Sequence, residues 1–381
     1  MKKVAIIGAG ISGLFIANLF KKNPNFLITI YEKNNLIDTK EGYGVQLSVN
    51  SIKLLNKIGF SKLQNYEKFT PEKINFFSNK NLKKICELDI SYFNSGDCRY
   101  TTLKRSTLVN FLKKDLDDLI ETNFNISKID LLGKKIKLSF ENNKSKECDY
   151  LIISDGVFSK SKSLISNNKN KPKYNGTLAI RGIIKKSLQN IDNTNISIFL
   201  GPDFHNVIYP VNPSGDLNFI AIMKYDLSLD EQINYSLFSE DTFVKKVLDK
   251  IPSRNKDLLD NLEEIKIFPV FVSDNFYKFQ NKNVHLIGDA FFAHPPSFAQ
   301  GASQSIESAY ELYKNIENNT EGDFFKNRVR KTKMVNIRSK INHFAFHLSN
   351  PLITFVRNIF LKRLVKNKNF LENYLGKIYK N

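Results

Sequence analysis

The sequence predicts an α/β fold: a Rossmann-like dinucleotide-binding domain, discontinuous along the chain, with an inserted antiparallel-sheet domain and a C-terminal helical region. Three observations predict it. The first 32 residues run apolar strand, glycine-rich turn, apolar helix, second apolar strand, acid. Two later apolar runs end in short turns, Ser154-Asp155-Gly156 and Gly288-Asp289-Ala290. Between them, from about Lys171 to Phe271, short alternating or apolar runs are separated by Gly, Pro and Asn turns, which is the pattern of an antiparallel sheet. The division that follows assigns 1–75, 100–170 and 272–320 to the dinucleotide domain. It assigns 76–99 and 171–271 to the sheet domain, and 321–381 to the helical region.

In the opening stretch, Val4 to Ile7 reads as a buried strand and Leu27 to Tyr31 as the next one. Gly8-Ala9-Gly10-Ile11-Ser12-Gly13 lies between them, followed by Leu14, Ile16, Ala17, Leu19 and Phe20 at helix density. Gly8 permits the tight turn, Gly10 lets backbone approach a pyrophosphate, and Gly13 lets helix pack close to strand. The N–H groups of Ile11, Ser12 and Gly13 open a helix whose positive end suits phosphates. Glu32, followed by Lys33, is placed to accept hydrogen bonds from a ribose diol. A lone glycine triplet is weak evidence, whereas the ordered set predicts a dinucleotide site.

The composition fits a folded, water-soluble protein. Of the 381 residues, 41% are hydrophobic and 25% charged, which supports sizeable cores and two to three domains. No run approaches the roughly 18 apolar residues of a spanning helix. The strand begins so close to Met1 that no signal peptide is expected. Cys86, Cys98 and Cys148 lack metal-ligand spacing and read as reduced thiols of a cytoplasmic enzyme, with no metal expected. The net charge of +19 raises nucleic acid or an anionic membrane as partners. Lysines mixed with asparagines along the whole chain argue for a general bias instead, and no nucleic-acid module is recognisable.

Along the remaining chain, Gly42-Tyr43-Gly44 is a turn and Val45 to Ser48 a short strand. A helix is expected over Asn50 to Ile58, stopping at Gly59. Strands and turns fill Phe69 to Tyr100. A helix over Arg105 to Leu119 would show Leu108, Phe111, Leu112, Leu116 and Leu119 on one face. Lys134 to Phe140 and Tyr150 to Ile153 read as strands, as do Leu178 to Ile184, Ile196 to Leu200, Val207 to Tyr209 and Leu217 to Met223. A helix around Thr242 to Lys250 ends before Pro252. Val284 to Ile287 is a buried strand, a helix begins near Gln300-Gly301, and the region from Phe324 onward is helical and basic.

With the three motifs in order, the chain resembles the single-component FAD-dependent aromatic hydroxylases with the p-hydroxybenzoate hydroxylase fold. Within them it is similar to the salicylate hydroxylase and 6-hydroxynicotinate monooxygenase branch. Gly42 to Leu47, Arg181-Gly182, Gly201 to Pro210, Gln300 to Glu307 and the tail His347-Leu348-Ser349-Asn350-Pro351 extend the likeness over nearly the whole chain. The resemblance implies non-covalent FAD held by Gly8, Gly10, Ile11, Ser12, Gly13, Glu32, Lys33, Arg105, Asp155, Gly156, Gly288, Asp289, Pro296, Gln300, Gly301 and Ala302. It implies NADH or NADPH as a transient co-substrate, oxygen addition at flavin C4a, and attack on the distal oxygen by an electron-rich ring. The sequence departs from the family at Phe291-Phe292, where Ala-His is usual, at Ala299 for Gly, and at Lys162 for Arg.

Asp289, at a strand end, suits the ribityl and phosphate region, or it caps a helix. Backbone N–H groups of Gln300, Gly301 and Ala302 suit the negative charge of a reduced flavin. The single glycine triplet provides no second nucleotide fold for NAD(P)H. His205 and Tyr209, four apart on a strand, face one side and can line one substrate cavity. A histidine titrating near 6.5 accepts a phenolic proton at neutral pH, which makes His205 the expected base. His294, before Pro295-Pro296, is a second candidate. In the tail, Leu352, Phe355, Val356, Ile359 and Phe360 recur at helical spacing among Arg357, Lys362, Arg363, Lys366 and Lys368. They read either as a helix docked on the flavin domain or as one lying on a membrane surface. The expected function is hydroxylation of a small aromatic substrate by a monomer or homodimer, cytoplasmic or peripheral at the inner membrane. The alternative is a membrane-associated ubiquinone-pathway hydroxylase, or a redox flavoprotein without hydroxylation, with the tail as the discriminating feature.

Overall fold

Apolar runs short enough for strands and buried on both sides dictate a parallel sheet with layers on each face. The computed structural model describes residues 1–37, 39, 42–166, 171–185, 192–251 and 256–380. Its opening unit is β1 (Lys2–Ile7), α1 (Ile11–Lys21) and β2 (Phe26–Tyr31). There follow β3 (Gly44–Leu47), α2 (Val49–Asn56), β4 (Lys68–Phe69), β5 (Lys73–Ser78), β6 (Lys84–Asp89), β7 (Thr101–Lys104) and α3 (Arg105–Lys113). Next are β8 (Ile120–Glu121), β9 (Ile126–Leu132), β10 (Lys135–Phe140), β11 (Ser145–Cys148), β12 (Tyr150–Ile153) and α4 (Lys160–Ser166). The middle of the chain forms β13 (Lys173–Ile184), β14 (Ile196–Gly201), β15 (Phe204–Pro210), β16 (Leu217–Lys224), α5 (Leu229–Ile233), α6 (Asp241–Leu248), α7 (Lys256–Leu259) and β17 (Glu263–Val272). Last come β18 (Val284–Leu286), α8 (Gly288–Phe291), α9 (Gly301–Glu317), α10 (Glu321–Phe346), α11 (Pro351–Leu364) and short helical turns over 368–379.

Five strands in the order β18-β12-β1-β2-β8 make the parallel sheet. Val4, Ile6, Ile28, Ile30 and Ile152 pack on α1, α3 and α9, while Ala5, Ile7, Leu151 and Ile153 pack on the antiparallel sheet β11-β10-β9. A seven-stranded sheet, β17-β13-β16-β15-β14-β5-β6, is antiparallel except where β14 meets β5. One face is covered by α6 through Phe243 and Val247. The other faces Val335 and Phe346 of α10 and the closing turns with Leu371, Leu375 and Ile378.

Several expectations are corrected. α3 stops at Lys113 because Asp115 adopts φ +64, and Leu116 reaches the core from beyond that turn rather than along a continuous helix. β5 lies wholly in the seven-stranded sheet, so 73–75 pair there rather than in the dinucleotide domain. β11 is mainly polar and β9 interrupts its Ile and Leu residues with Ser, Lys and Asp, which hid both from a reading based on apolar runs. Pro252 lies outside the described residues. α11 docks on β6 of the seven-stranded sheet through Leu361 and the buried Arg357, rather than on the flavin domain, and Leu352, Phe355, Val356, Ile359 and Phe360 face outward. No helix among the described residues is long and apolar enough to cross a membrane.

Candidate functional site

The three motif turns follow three neighbouring parallel strands, β1, β12 and β18, and so meet at one edge of the sheet, where ligands of open α/β sheets bind. Gly8 has φ +99, and a Cβ there would lie 2.7 Å from the Ser154 carbonyl oxygen. A Cβ on Gly13 would sit 2.1 Å from the Gly8 carbonyl oxygen. Gly10, by contrast, faces open space with no protein atom within 4 Å of its Cβ position. The N-terminus of α1 has no side-chain cap and no acid in its first turn. This is a cradle shaped for a pyrophosphate, with donors unspent. Glu32 holds the turn in place: its Oε2 accepts from the Ala9 N–H at 2.9 Å and its Oε1 from the Asn34 N–H at 3.0 Å. Lys33 beside it is exposed.

Asp155 turns partly away from the cleft, and its Oδ2 accepts from the Ser161 N–H at 3.0 Å, capping α4. Gly156, with φ +81, completes that turn. The buried Lys162 donates to the Ala290 carbonyl at 3.1 Å, tying α4 to the Gly-Asp turn, and desolvation lowers its pKa. Gly288, with φ +59, abuts Ser12, so this turn adjoins the glycine motif. The Asp289 side chain is open to the cleft but surrounded by protein on its other sides, and desolvation raises its pKa to about 6. Phe292 is buried and stacks on Phe276 at 4.6 Å between ring centroids, so the family departure there is absorbed into the core.

At α9, neither Gln300 nor any other side chain caps the helix, the first turn holds no acid, and Gly301 faces open space. Pro296 and Ala302 flank this end on the same cavity wall. Gln300 donates to Ser48 Oγ at 3.2 Å, and Ser51 and Ser303 share a hydrogen bond at 2.9 Å, fixing α2 against α9. Arg105 begins α3, its N–H donating to the Tyr43 carbonyl at 2.8 Å. Two uncapped helix ends converging on one cleft, one beside open glycine backbone and the other beside a cavity, fit the pyrophosphate and the ring of FAD.

That cavity, of about 840 Å³, runs from Asp289 and Pro295–Ala302 across the face of β15 to α10 and α11. It lies within the size range of ligand pockets. His205, Val207 and Tyr209 line it from alternate positions of β15, while Phe204 and Ile208 point into the core on the opposite face. Gly44 lets β3 approach Tyr209, since a Cβ would lie 2.7 Å from the ring. Burial pushes the Tyr209 hydroxyl well above its ordinary range. His205 Nδ1 and His347 Nε2 share a hydrogen bond at 2.7 Å, the His347 and His343 rings lie 4.3 Å apart, and His343 Nδ1 is 3.1 Å from Ser297 Oγ.

Burial and the neighbouring His347 and His343 push His205 well below pH 6.5. This corrects the expectation of an unperturbed histidine: the neutral ring accepts a hydrogen bond readily and takes on a charge reluctantly. His294 lines the same cavity, and burial with Arg328 lowers it to about 3, so it is a weak base as well. His343 and His347 were missed in the sequence. Their signal was a pair of histidines four apart at the end of a basic helix, in a tail already similar to the family's.

An α/β cleft of this design, with its cavity under a second sheet, defines a flavin-dinucleotide protein with an attached substrate chamber. The profile of the FAD binding domain family matches residues 1–324, and the chain belongs to that family. It is 22% identical to 6-hydroxynicotinate 3-monooxygenase of Bordetella bronchiseptica, over 96% of this chain and 98% of that one. It is also 22% identical to a salicylate hydroxylase of Pseudomonas putida, over 81% and 75%. Among solved structures, Klebsiella pneumoniae HpxO with FAD and uric acid superposes with TM-score 0.80 at 15% identity, covering 98% and 97%. A salicylate hydroxylase substrate complex does so with TM-score 0.78 at 19% identity, covering 100% and 95%. These likenesses establish the fold.

Proposed function

We propose that this flavoprotein hydroxylates a phenolic or heteroaromatic substrate using NAD(P)H and O2. The observation that carries the reading is one cavity that joins the open N-terminus of α9 to a wall bearing His205 and Tyr209. FAD, when bound and reduced by NAD(P)H, supplies the activated oxygen. The α1 N-terminus and the glycine turn bind its pyrophosphate, Glu32 and Asp289 its sugar and ribityl hydroxyls, and the α9 N–H groups the negative charge of the reduced ring. His205, neutral and held by His347, accepts a hydrogen bond from the ring hydroxyl, which polarises that O–H and raises the electron density of the ring as oxygen transfers. Tyr209 stays protonated and orients the ring by donating.

Peripheral membrane contact through α10 and α11 belongs to the same reading, favoured by their exposed apolar faces. The test is NAD(P)H consumption with a panel of aromatic acids and lipophilic phenols, with product identified by mass. Oxidation stimulated by an aromatic, with one oxygen atom added, is expected. Consumption that ignores every aromatic would overturn the proposal in favour of a redox flavoprotein.

A further inference from the structure

α11 is amphipathic the wrong way round for a helix docked by its apolar side. Leu352, Ile353, Phe355, Val356, Ile359 and Phe360 are 38 to 78% exposed. Arg357 is turned inward and buried, with Nη1 donating to the Ala345 carbonyl at 3.0 Å. α10 shows the same habit over its last turns, where Ile337, Ile341 and Phe344 are more than half exposed. At 100° per residue each set falls on one side of its helix. Large apolar side chains on two neighbouring helices form a patch of the kind that marks an interaction site.

The charge around the patch is one-sided. From Phe324 to Leu371 the chain holds twelve Lys and Arg and no Asp or Glu. Lys333, Lys340, Lys362 and Arg363 are exposed on the helices that bear the patch, and Lys366 just beyond them. A twofold pairing of α11 and the last turns of α10 with a second copy would set against each other two segments that hold cations and no carboxylate of their own. An anionic lipid surface complements both features: acyl chains take the apolar side chains, and each nearby Lys or Arg gains about 1 kcal/mol from the surface potential.

The cavity opens on the same face. Ile341 and Phe360 line it and are also 52% and 58% exposed, which gives it an opening between α10 and α11, besides the one at Asp289 and Gly301. Inward from them the walls are Phe346, Leu361, Leu364 and Ile198, ahead of His205. Of the two arginines lining the cavity among the described residues, Arg357 is engaged by the Ala345 carbonyl and the Asn358 amide oxygen, and Arg181 lies over the Tyr43 ring at 5.0 Å. We infer that α10 and α11 rest on an anionic lipid surface, and that the substrate is a lipophilic aromatic dissolved in it which reaches His205 between Ile341 and Phe360. This rests on the hydroxylase reading and gives it a substrate class and a route.

The test uses the full-length FAD-loaded protein and the double variant F355E/I359E, whose altered side chains are exposed and do not line the cavity. Sedimentation with vesicles of phosphatidylcholine mixed with phosphatidylglycerol should pull down the native protein. Pure phosphatidylcholine should not, and the variant should bind at least about tenfold more weakly, given the loss of two inserted apolar side chains. A long-chain alkylphenol delivered in the mixed vesicles should stimulate NAD(P)H oxidation in the native protein several-fold more than in the variant, and equally in both from detergent micelles. Equal vesicle binding by both proteins, or none, overturns the inference. A concentration-dependent dimer in ultracentrifugation that the variant abolishes also overturns it, by assigning the face to a second copy. Vesicle binding with preference for a compact aromatic acid over the alkylphenol overturns the substrate class and leaves the hydroxylase reading standing. Silence towards every aromatic sinks the hydroxylase reading itself.

Discussion

The two ends of the central cleft are held by different physics. At the glycine turn, backbone meets backbone, Gly8 against Ser154 and Gly13 against the Gly8 carbonyl, with no room for one more carbon, and Gly288 abuts the Ser12 side chain. At the far end the wall is two helices that bury an arginine between them and turn apolar side chains outward. A cleft built from backbone contacts accepts one ligand shape and loses it with the first added methyl. A wall of aliphatic side chains can change its substrate by repacking, leaving the cofactor end untouched. Of the five histidines, His205, His343 and His347 cluster at the substrate end, His285 lies in the parallel sheet, and His294 lines the cavity beside Pro295.

The largest expected effect is on acid stability. His205, His347 and His285 are buried and all have lowered pKa values, to about 3 for His347 and about 4 for His285. The unfolded chain binds protons at these positions from about pH 6.5 downward while the folded one does not, so stability is present above pH 6.5 and falls as pH drops. Each contributes up to about 1.4 kcal/mol per pH unit in that window. Asp289, raised to about 6, acts in the opposite sense because the folded state protonates it first. Between pH 7 and 5, hydrogen exchange should rise first in α10 and the turn carrying His347. Exchange that rises uniformly, or first around His285, would break the contrast between the ends.

Gly13→Ala should cost about 3 kcal/mol or more, since the added carbon lands on a carbonyl oxygen. Gly10→Ala should cost under about 1 kcal/mol yet weaken FAD retention, because its methyl points only into the cradle. Urea unfolding paired with FAD titration reads both variants, and equal stability losses would refute the cradle.

His205→Asn should lower hydroxylated product per NAD(P)H consumed about tenfold, with FAD affinity unchanged. Because the native ring is already neutral, the product ratio of the native enzyme should stay flat from pH 8 down to about 6.5. A ratio in the variant matching the native one would remove His205 from the chemistry.

The smallest effect belongs to Ala299→Gly. Ala299 sits at φ +51, where the family's usual glycine costs nothing. Relief of about 1 kcal/mol of left-handed strain is offset by unfolded-state entropy, leaving a gain within about 0.5 kcal/mol in urea unfolding. A loss above about 1 kcal/mol would mean that the methyl packs usefully beside Pro296.

The conformation of the glycine turn was legible residue by residue because its demands are local. A turn that needs φ +99 at Gly8, a helix that must touch a strand at Gly13 and an acid one strand later are written in consecutive residues. The alternation of β15 likewise determined that His205 and Tyr209 share a wall. Tertiary structure decided the rest. His205 meets His347 across 142 residues, and that partner, with burial, takes its pKa out of the neutral range. Whether α11 turned its apolar or its polar side inward depended on what the other layers left uncovered. Periodicity fixes that a helix has two faces, and it carries no information about which one the rest of the protein needs.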